Sequence, residues 1–116
     1  MKTYKDLLVW QKSIDLVVEM YRVTGLFPIE ERFGLISQMR RAAVSVSSNI
    51  AEGYGRRNRR ENAQFVNIAF GSATELETQI IISKKLHFAE SQWKKLDDLL
   101  VEVLRMLYRY RDVLHT

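Results

Sequence analysis

The chain of 116 residues contains no cysteine. That absence excludes a disulfide scaffold, a thiolate metal site and a cysteine nucleophile together. There is one proline, and there are five glycines, too little punctuation for a succession of short strands and turns. No long apolar run exists. The longest is Leu7-Leu8-Val9-Trp10, far short of the roughly 20 residues of a membrane span. With no leader-like start either, the expected location is the cytoplasm. Histidine is scarce as well: His87 and His115 are the only two, and no Glu-x-x-His pair exists for a di-metal carboxylate bundle. No metal and no cofactor are therefore expected. What remains is ordinary for one domain over residues 1–116: 47% hydrophobic, 28% charged and a net charge of +4.

Apolar residues recur at spacings of three and four, the period of helices packed in a bundle. Leu7, Trp10, Ile14, Val17 and Tyr21 mark a first helix, with Thr3 as cap, Asp6 completing the cap, and a stop near Gly25 and Pro28. A second helix is expected to begin between Glu31 and Gly34, with Phe33, Ile36, Met39, Ala43, Val46 and Ile50 inward and Gly53 and Gly55 closing it. Its small residues, Ala42, Ala43, Ser45, Ser47, Ser48 and Ala51, predict a tight crossing. Asn58 followed by Glu61 signals the third helix. There Phe65, Ile68, Ala69, Leu76, Ile80 and Leu86 form the expected stripe, and Gly71 predicts a second close approach. Ser91 is the expected cap of a fourth helix whose stripe is Trp93, Leu96, Leu100, Val103, Leu107, Tyr110 and Leu114. The fold class predicted is all-α, an antiparallel up-down-up-down four-helix bundle.

The charge is unevenly placed. Residues 40–60 hold six arginines, Arg40, Arg41, Arg56, Arg57, Arg59 and Arg60, against the single acid Glu52, a local balance of +5; the rest of the chain carries 12 basic and 13 acidic residues, or −1. Guanidinium offers a planar donor fork that matches phosphate and stacks on bases. This cluster reads as a solvated loop, as a nucleic-acid contact, or as a surface for an acidic protein partner. Arg40 and Arg41 point about 100° apart on a helix, so one of them is expected to be structural, pairing with Glu52 or Glu75. Glu75 and Glu77 read as a buried polar contact between helices, since neighbours two apart do not share a face. Ser45, Ser47 and Ser48 read as packing and capping residues. Trp10, Trp93, Tyr108 and Tyr110 read as core or interface aromatics, and Tyr4, Tyr54 and Tyr108 are hard to bury in one small bundle, which favours an oligomer. No base, nucleophile or metal set suggests an enzyme.

Several strings together resemble a known family. Asp6-Leu7-Leu8-Val9-Trp10-Gln11-Lys12, Phe33-Gly34-Leu35, Gln38 to Val46 with its Arg40-Arg41-Ala42, Asn49-Ile50-Ala51-Glu52-Gly53 and Glu75 to Gln79 are similar to the four-helix-bundle proteins encoded within 23S ribosomal RNA intervening sequences, the S23 family. The resemblance implies an antiparallel four-helix bundle assembled as a ring-shaped homopentamer. It also implies kinship with accessory proteins of diversity-generating retroelements, which bind a reverse transcriptase and nucleic acid through a basic surface. It brings no catalytic residues. The expected function is thus a non-enzymatic, oligomeric, basic bundle that binds RNA or DNA with low sequence specificity through the six arginines; the alternative is an assembly adaptor for a protein partner such as a reverse transcriptase.

Overall fold

The computed structural model of the chain describes residues 2–116. Four α-helices, α1 (Leu8–Thr24), α2 (Ser37–Tyr54), α3 (Arg59–Lys85) and α4 (Lys94–Leu114), carry the chain, and the described residues contain no strand. One cluster of buried apolar side chains draws on all four. None of the helices is long and apolar enough to cross a membrane.

The expected Thr3–Asp6 cap forms, but on a short turn ahead of the first helix, and α1 itself begins behind Leu7 without a side-chain cap. Thr3 Oγ1 accepts from the Lys5 N–H at 3.0 Å, and Asp6 Oδ2 accepts from the N–H groups of Lys2 and Thr3 at 2.9 and 3.1 Å. These backbone donors hold the Asp6 carboxyl below its ordinary pKa. The cap closes a short 3-10 turn, Tyr4–Asp6, ahead of α1.

The inward face of α1 differs from the expected one. Val9, Ser13, Leu16, Met20 and Val23 are buried, whereas Leu7, Trp10, Ile14 and Val17 are half-buried and Tyr21 is exposed. The buried stripe lies one residue upstream, about 100° around the helix. Two polar residues make that rotation possible. The Ser13 hydroxyl donates to the Trp10 carbonyl at 2.6 Å and accepts from Ser47 Oγ at 3.0 Å, so α1 meets α2 through a small satisfied pair. Glu19, only 4% exposed, accepts from Arg22 at 2.6 Å from Nη2 and at 3.0 and 3.1 Å from Nε. Arg22 in turn donates to the side chain and carbonyl of Gln92, ahead of α4.

Before α2 the backbone passes through a 3-10 turn, Ile29–Glu31, and a π turn, Arg32–Ile36, with a non-helical kink at Gly34. The α-helix itself therefore begins at Ser37, later than the expected start between Glu31 and Gly34, and the π turn that occupies that region changes the phase. A π turn is wider than an α turn, so residues before the kink are swung off the stripe that follows. Ile36, Met39, Ala43, Val46 and Ile50 point inward as expected, whereas Phe33 is 88% exposed.

The small face of α2 does form a tight crossing. Ala42, Ala43, Val46, Ser47, Ile50 and Gly53 are buried on α2, and Ala63, Val66, Ala69 and Ala73 on α3. Ser45 and Ser72 share a hydrogen bond of 2.9 Å across it. The close approach falls at Gly53 and not at Gly71. Gly53 does not end α2, which runs one residue further; it lies where a Cβ would stand 2.6 Å from Asn62 Oδ1 and 2.9 Å from the Phe65 Cβ. Gly71, the expected contact point, is exposed and would have nothing within 4 Å of a Cβ.

Asn58 caps α3 as expected, its Oδ1 accepting from the Glu61 N–H at 2.9 Å. Of the expected α3 stripe, Ala69, Leu76 and Ile80 are buried and Phe65 is half-buried, while Ile68 and Leu86 are half exposed. Between α3 and α4, His87, Ala89 and Ser91 adopt left-handed φ values of 65°, 50° and 72°, costing roughly 1–3 kcal/mol each. Buried Trp93 secures the turn by donating to the Phe88 carbonyl at 3.0 Å, and the Phe88 and Trp93 rings both lie against Phe27, 5.2 Å and 5.9 Å between centroids. Ser91 therefore belongs to this turn and does not cap α4. Trp93 takes the capping position, without a side-chain cap bond. The α4 stripe is as predicted: Trp93, Leu96, Leu100, Val103 and Leu107 are buried, with Tyr110 and Leu114 at its half-buried end.

This packing makes two predictions. Gly53→Ala should lower stability by about 1–3 kcal/mol, because its Cβ meets backbone and side-chain atoms of α3, whereas Gly71→Ala should raise it by about 0.5–1 kcal/mol through helix propensity alone. Urea unfolding followed by circular dichroism checks both signs. The second concerns acid. Arg22 holds the Glu19 carboxyl below its ordinary pKa of 4.5. This contribution is complete above that value and is lost as pH falls through the depressed one. Glu19→Gln should thus be less stable at pH 7 and lose less on acidification than the parent, as read from unfolding midpoints at pH 7 and pH 3.

Candidate nucleic-acid interface

Only residues 55–58 separate α2 from α3. Gly55 closes α2 through its N–H bond to the Ala51 carbonyl at 3.3 Å, and Asn58 opens α3. A link this short leaves Arg56 and Arg57 no interior to fold into, and the first turn of α3 adds Arg59 and Arg60. All four are exposed, and with Asn58 and Asn62 they line one open groove.

Their engagement differs. Arg56 Nη2 lies 2.8 Å from Glu52 Oε2, and its guanidinium sits 4.5 Å from the centre of the half-buried Phe65 ring. Arg59 donates to the Val113 carbonyl in the last turn of α4. Arg57 and Arg60 form no ion pair among the described residues. Two guanidinium groups are thus held in place by the fold and two are free.

The bond from Arg59 to Val113, together with the 3.0 Å bond from Asn62 Nδ2 to the Tyr110 hydroxyl, seats the end of α4 beside this groove. Three further arginines therefore belong to the same end of the molecule: Arg105, Arg109 and Arg111. Counted over residues 52–62 and 105–116, seven arginines face three carboxylates, Glu52, Glu61 and Asp112. Reading charge along the chain missed the α4 residues because they are dispersed among Met106, Leu107 and Tyr108. Their four-residue spacing from Arg105 to Arg109 was the available sign. Arg111 is stacked at 4.2 Å over Phe70 and lies 5.6 Å from the exposed Tyr108 ring, so it is partly committed to packing.

Arg40 and Arg41 do not join this group. They lie near the start of α2, some 16 residues before Arg56, a separation of about 24 Å at 1.5 Å per residue. Arg40 is the structural member of the pair, but its partner is neither Glu52 nor Glu75. It donates to Thr24 Oγ1 at 2.9 Å and to the Tyr21 carbonyl at 3.3 Å, with its guanidinium 4.3 Å over the Tyr21 ring, and so ties α2 to the end of α1. A cation at those C-terminal carbonyls also suits the helix dipole. Arg41 is exposed and has no ion pair among the described residues.

The other candidates fall into place around these two ends. Glu75 and Glu77 are exposed, and Glu75 accepts from Gln79 on its own helix at 3.3 Å, so they are not the expected buried contact between helices. Ser45 and Ser47 bridge helices, as packing residues do, while Ser48 is exposed. Trp93 is core, Trp10 and Tyr110 are half-buried, and Tyr4 is half-buried edge-on to Trp10, with 5.2 Å between ring centres. Tyr108 stands exposed as expected, and Tyr54 is half-buried.

No curated protein matches the chain. A family model described as 23S rRNA-intervening sequence protein matches residues 5–109, taking in α1 to α3, most of α4 and all six arginines between positions 40 and 60. With nine-tenths of its length matched, the chain belongs to the family of 23S rRNA-intervening sequence proteins.

Proposed function

We propose that this protein is a non-enzymatic, oligomeric, basic bundle of the cytoplasm that binds RNA or DNA with low sequence specificity. The observation that carries the reading is the concentration of seven arginines against three carboxylates at one end of the molecule, with Arg57 and Arg60 unpaired. Phosphate contacts of this kind need charge and donors but no base-edge geometry. The family's link to 23S ribosomal RNA intervening sequences is in keeping with an RNA partner.

The helices are read as running up-down-up-down. Paired contacts support this. Thr24 meets Arg40 and Ser13 meets Ser47; Ser83 meets Met39 and Ser72 meets Ser45; Lys84 meets Asp97 and Asn62 meets Tyr110; Arg22 meets Gln92 and Lys12 meets Glu102. In every pair one number falls as the other rises. Assembly into a ring of five, as the family resemblance implies, would repeat the basic end around one particle, so weak contacts add by multivalency. Ile68, Ile81, Val101 and Tyr108, each at least half exposed, offer apolar surface for such contacts.

Affinity for a labelled 20-nucleotide RNA should fall steeply with salt. Replacing Arg56, Arg57, Arg59 and Arg60 by alanine should flatten the logarithmic salt slope by about 0.7–0.9 for each phosphate that is no longer neutralised. Unchanged binding by that variant, or no binding by the parent at low salt, would overturn the reading. Partners recovered by pull-down should disappear on nuclease treatment; their retention would favour an adaptor for a protein such as a reverse transcriptase.

A further inference from the structure

The end of α2 opposite the basic groove carries a second site of different character. Tyr21, Arg32, Phe33, Arg40, Arg41 and Val44 line an open groove, and no carboxylate lines it. Phe33 is the most exposed large apolar side chain described, at 88%. It stands in the π turn at the Gly34 kink, whose change of phase takes it off the inward stripe of α2. Its one near neighbour of note is the Arg32 guanidinium, 5.7 Å from the ring centre. Arg40 is committed to Thr24 and Tyr21, which fixes the Tyr21 ring beneath it, while Arg32 and Arg41 have no ion pair among the described residues. The closest acid in sequence, Glu31, turns its Oε1 back to accept from the Leu35 N–H at 3.4 Å.

An aromatic ring 88% exposed, with the Arg32 guanidinium at one face and Arg41 lining the same groove, has the chemistry of a stacking platform for an unpaired base, with arginine at hand to neutralise the adjoining phosphates. A duplex offers no such base, because its faces are already stacked. We propose that Phe33, in a groove it shares with Arg32 and Arg41, binds single-stranded nucleic acid by stacking, at a site separate from the arginine groove at the α2–α3 link. This rests on the nucleic-acid reading above and narrows its substrate to strands with unpaired bases.

The test measures fluorescence anisotropy of a labelled 20-nucleotide poly(U) and of a 20-base-pair RNA duplex against the parent protein, Phe33→Ala, Phe33→Tyr and Arg41→Ala, with sedimentation velocity on each. Stacking of one base is worth about 1–3 kcal/mol, so Phe33→Ala should weaken poly(U) binding by roughly 5- to 150-fold and leave duplex binding unchanged. Phe33→Tyr should restore most of the affinity, and Arg41→Ala should weaken poly(U) binding and reduce its salt slope. A side chain this exposed can be removed without opening the core, and an unchanged thermal midpoint verifies it. Equal poly(U) affinity for the parent and Phe33→Ala overturns the stacking site while leaving the groove intact. A change in sedimentation with Phe33→Ala makes Phe33 a contact between copies and likewise overturns it. Failure of the parent to bind either probe removes the nucleic-acid reading itself, and this site with it.

Discussion

The close approach of α2 and α3 is the constraint on which the rest of the molecule depends. Gly53 lies against Asn62 and Phe65 with no room for a methyl group, and Ala43, Ala69, Ala73 and the Ser45–Ser72 pair continue the same narrow seam. Helices this close can be joined by a very short connection, which is why four residues suffice between them. Asn62 also extends the seam outward through its bond to Tyr110, so the α2–α3 contact helps to seat the last turns of α4. The positions of the arginines on the link, and of those on α4, follow from packing of small side chains rather than from any attraction among the cations.

That packing also decides which guanidinium groups remain available. Arg40 donates to Thr24 and the Tyr21 carbonyl and cannot be withdrawn without loosening the end of α1. Arg56 and Glu52 form an exposed i,i+4 pair, and such pairs contribute little, typically below about 1 kcal/mol. A phosphate could replace the Glu52 carboxylate there at small cost. Arg59 is held by a carbonyl of α4, a neutral acceptor that leaves its charge uncompensated. The link thus presents more positive potential than its hydrogen bonds suggest, whereas Arg40 presents less than its sequence position suggests.

Sequence pattern carried most of the fold. The Thr3 and Asn58 caps, the short link at Gly55 and the α4 stripe were legible because each depends on chemistry within a few residues of itself. What was not legible depended on partners far along the chain. The inward face of α1 is misread by one residue because Trp10, Ile14 and Val17 keep the helical period but only flank the seam, while small Ser13 and charged Glu19 enter it after finding Ser47 and Arg22. Gly53 and Gly71 look alike as letters, and only the position of Asn62 and Phe65 distinguishes them. Phe33 follows the helical period perfectly on paper, but the π turn at Gly34 breaks the phase just before the stripe begins. For the candidate site, the local arginine run was visible, but its division into two ends of α2 and the contribution of α4 were not, since both are consequences of tertiary placement.

The division into two ends gives the charge arithmetic a different meaning. A single patch of six arginines would bind any polyanion in proportion to its charge density, and duplex would compete best. Two sites at opposite ends of α2 would respond differently, because only the link end relies on charge alone. On the proposed reading, a duplex can satisfy that end and gains nothing from Phe33, whose face needs an unpaired base. A single strand can occupy both, with α2 acting as a fixed spacer that makes the second contact intramolecular. Preference between strand forms then comes from the geometry of one helix, and the arginines at its far end need supply no specificity of their own.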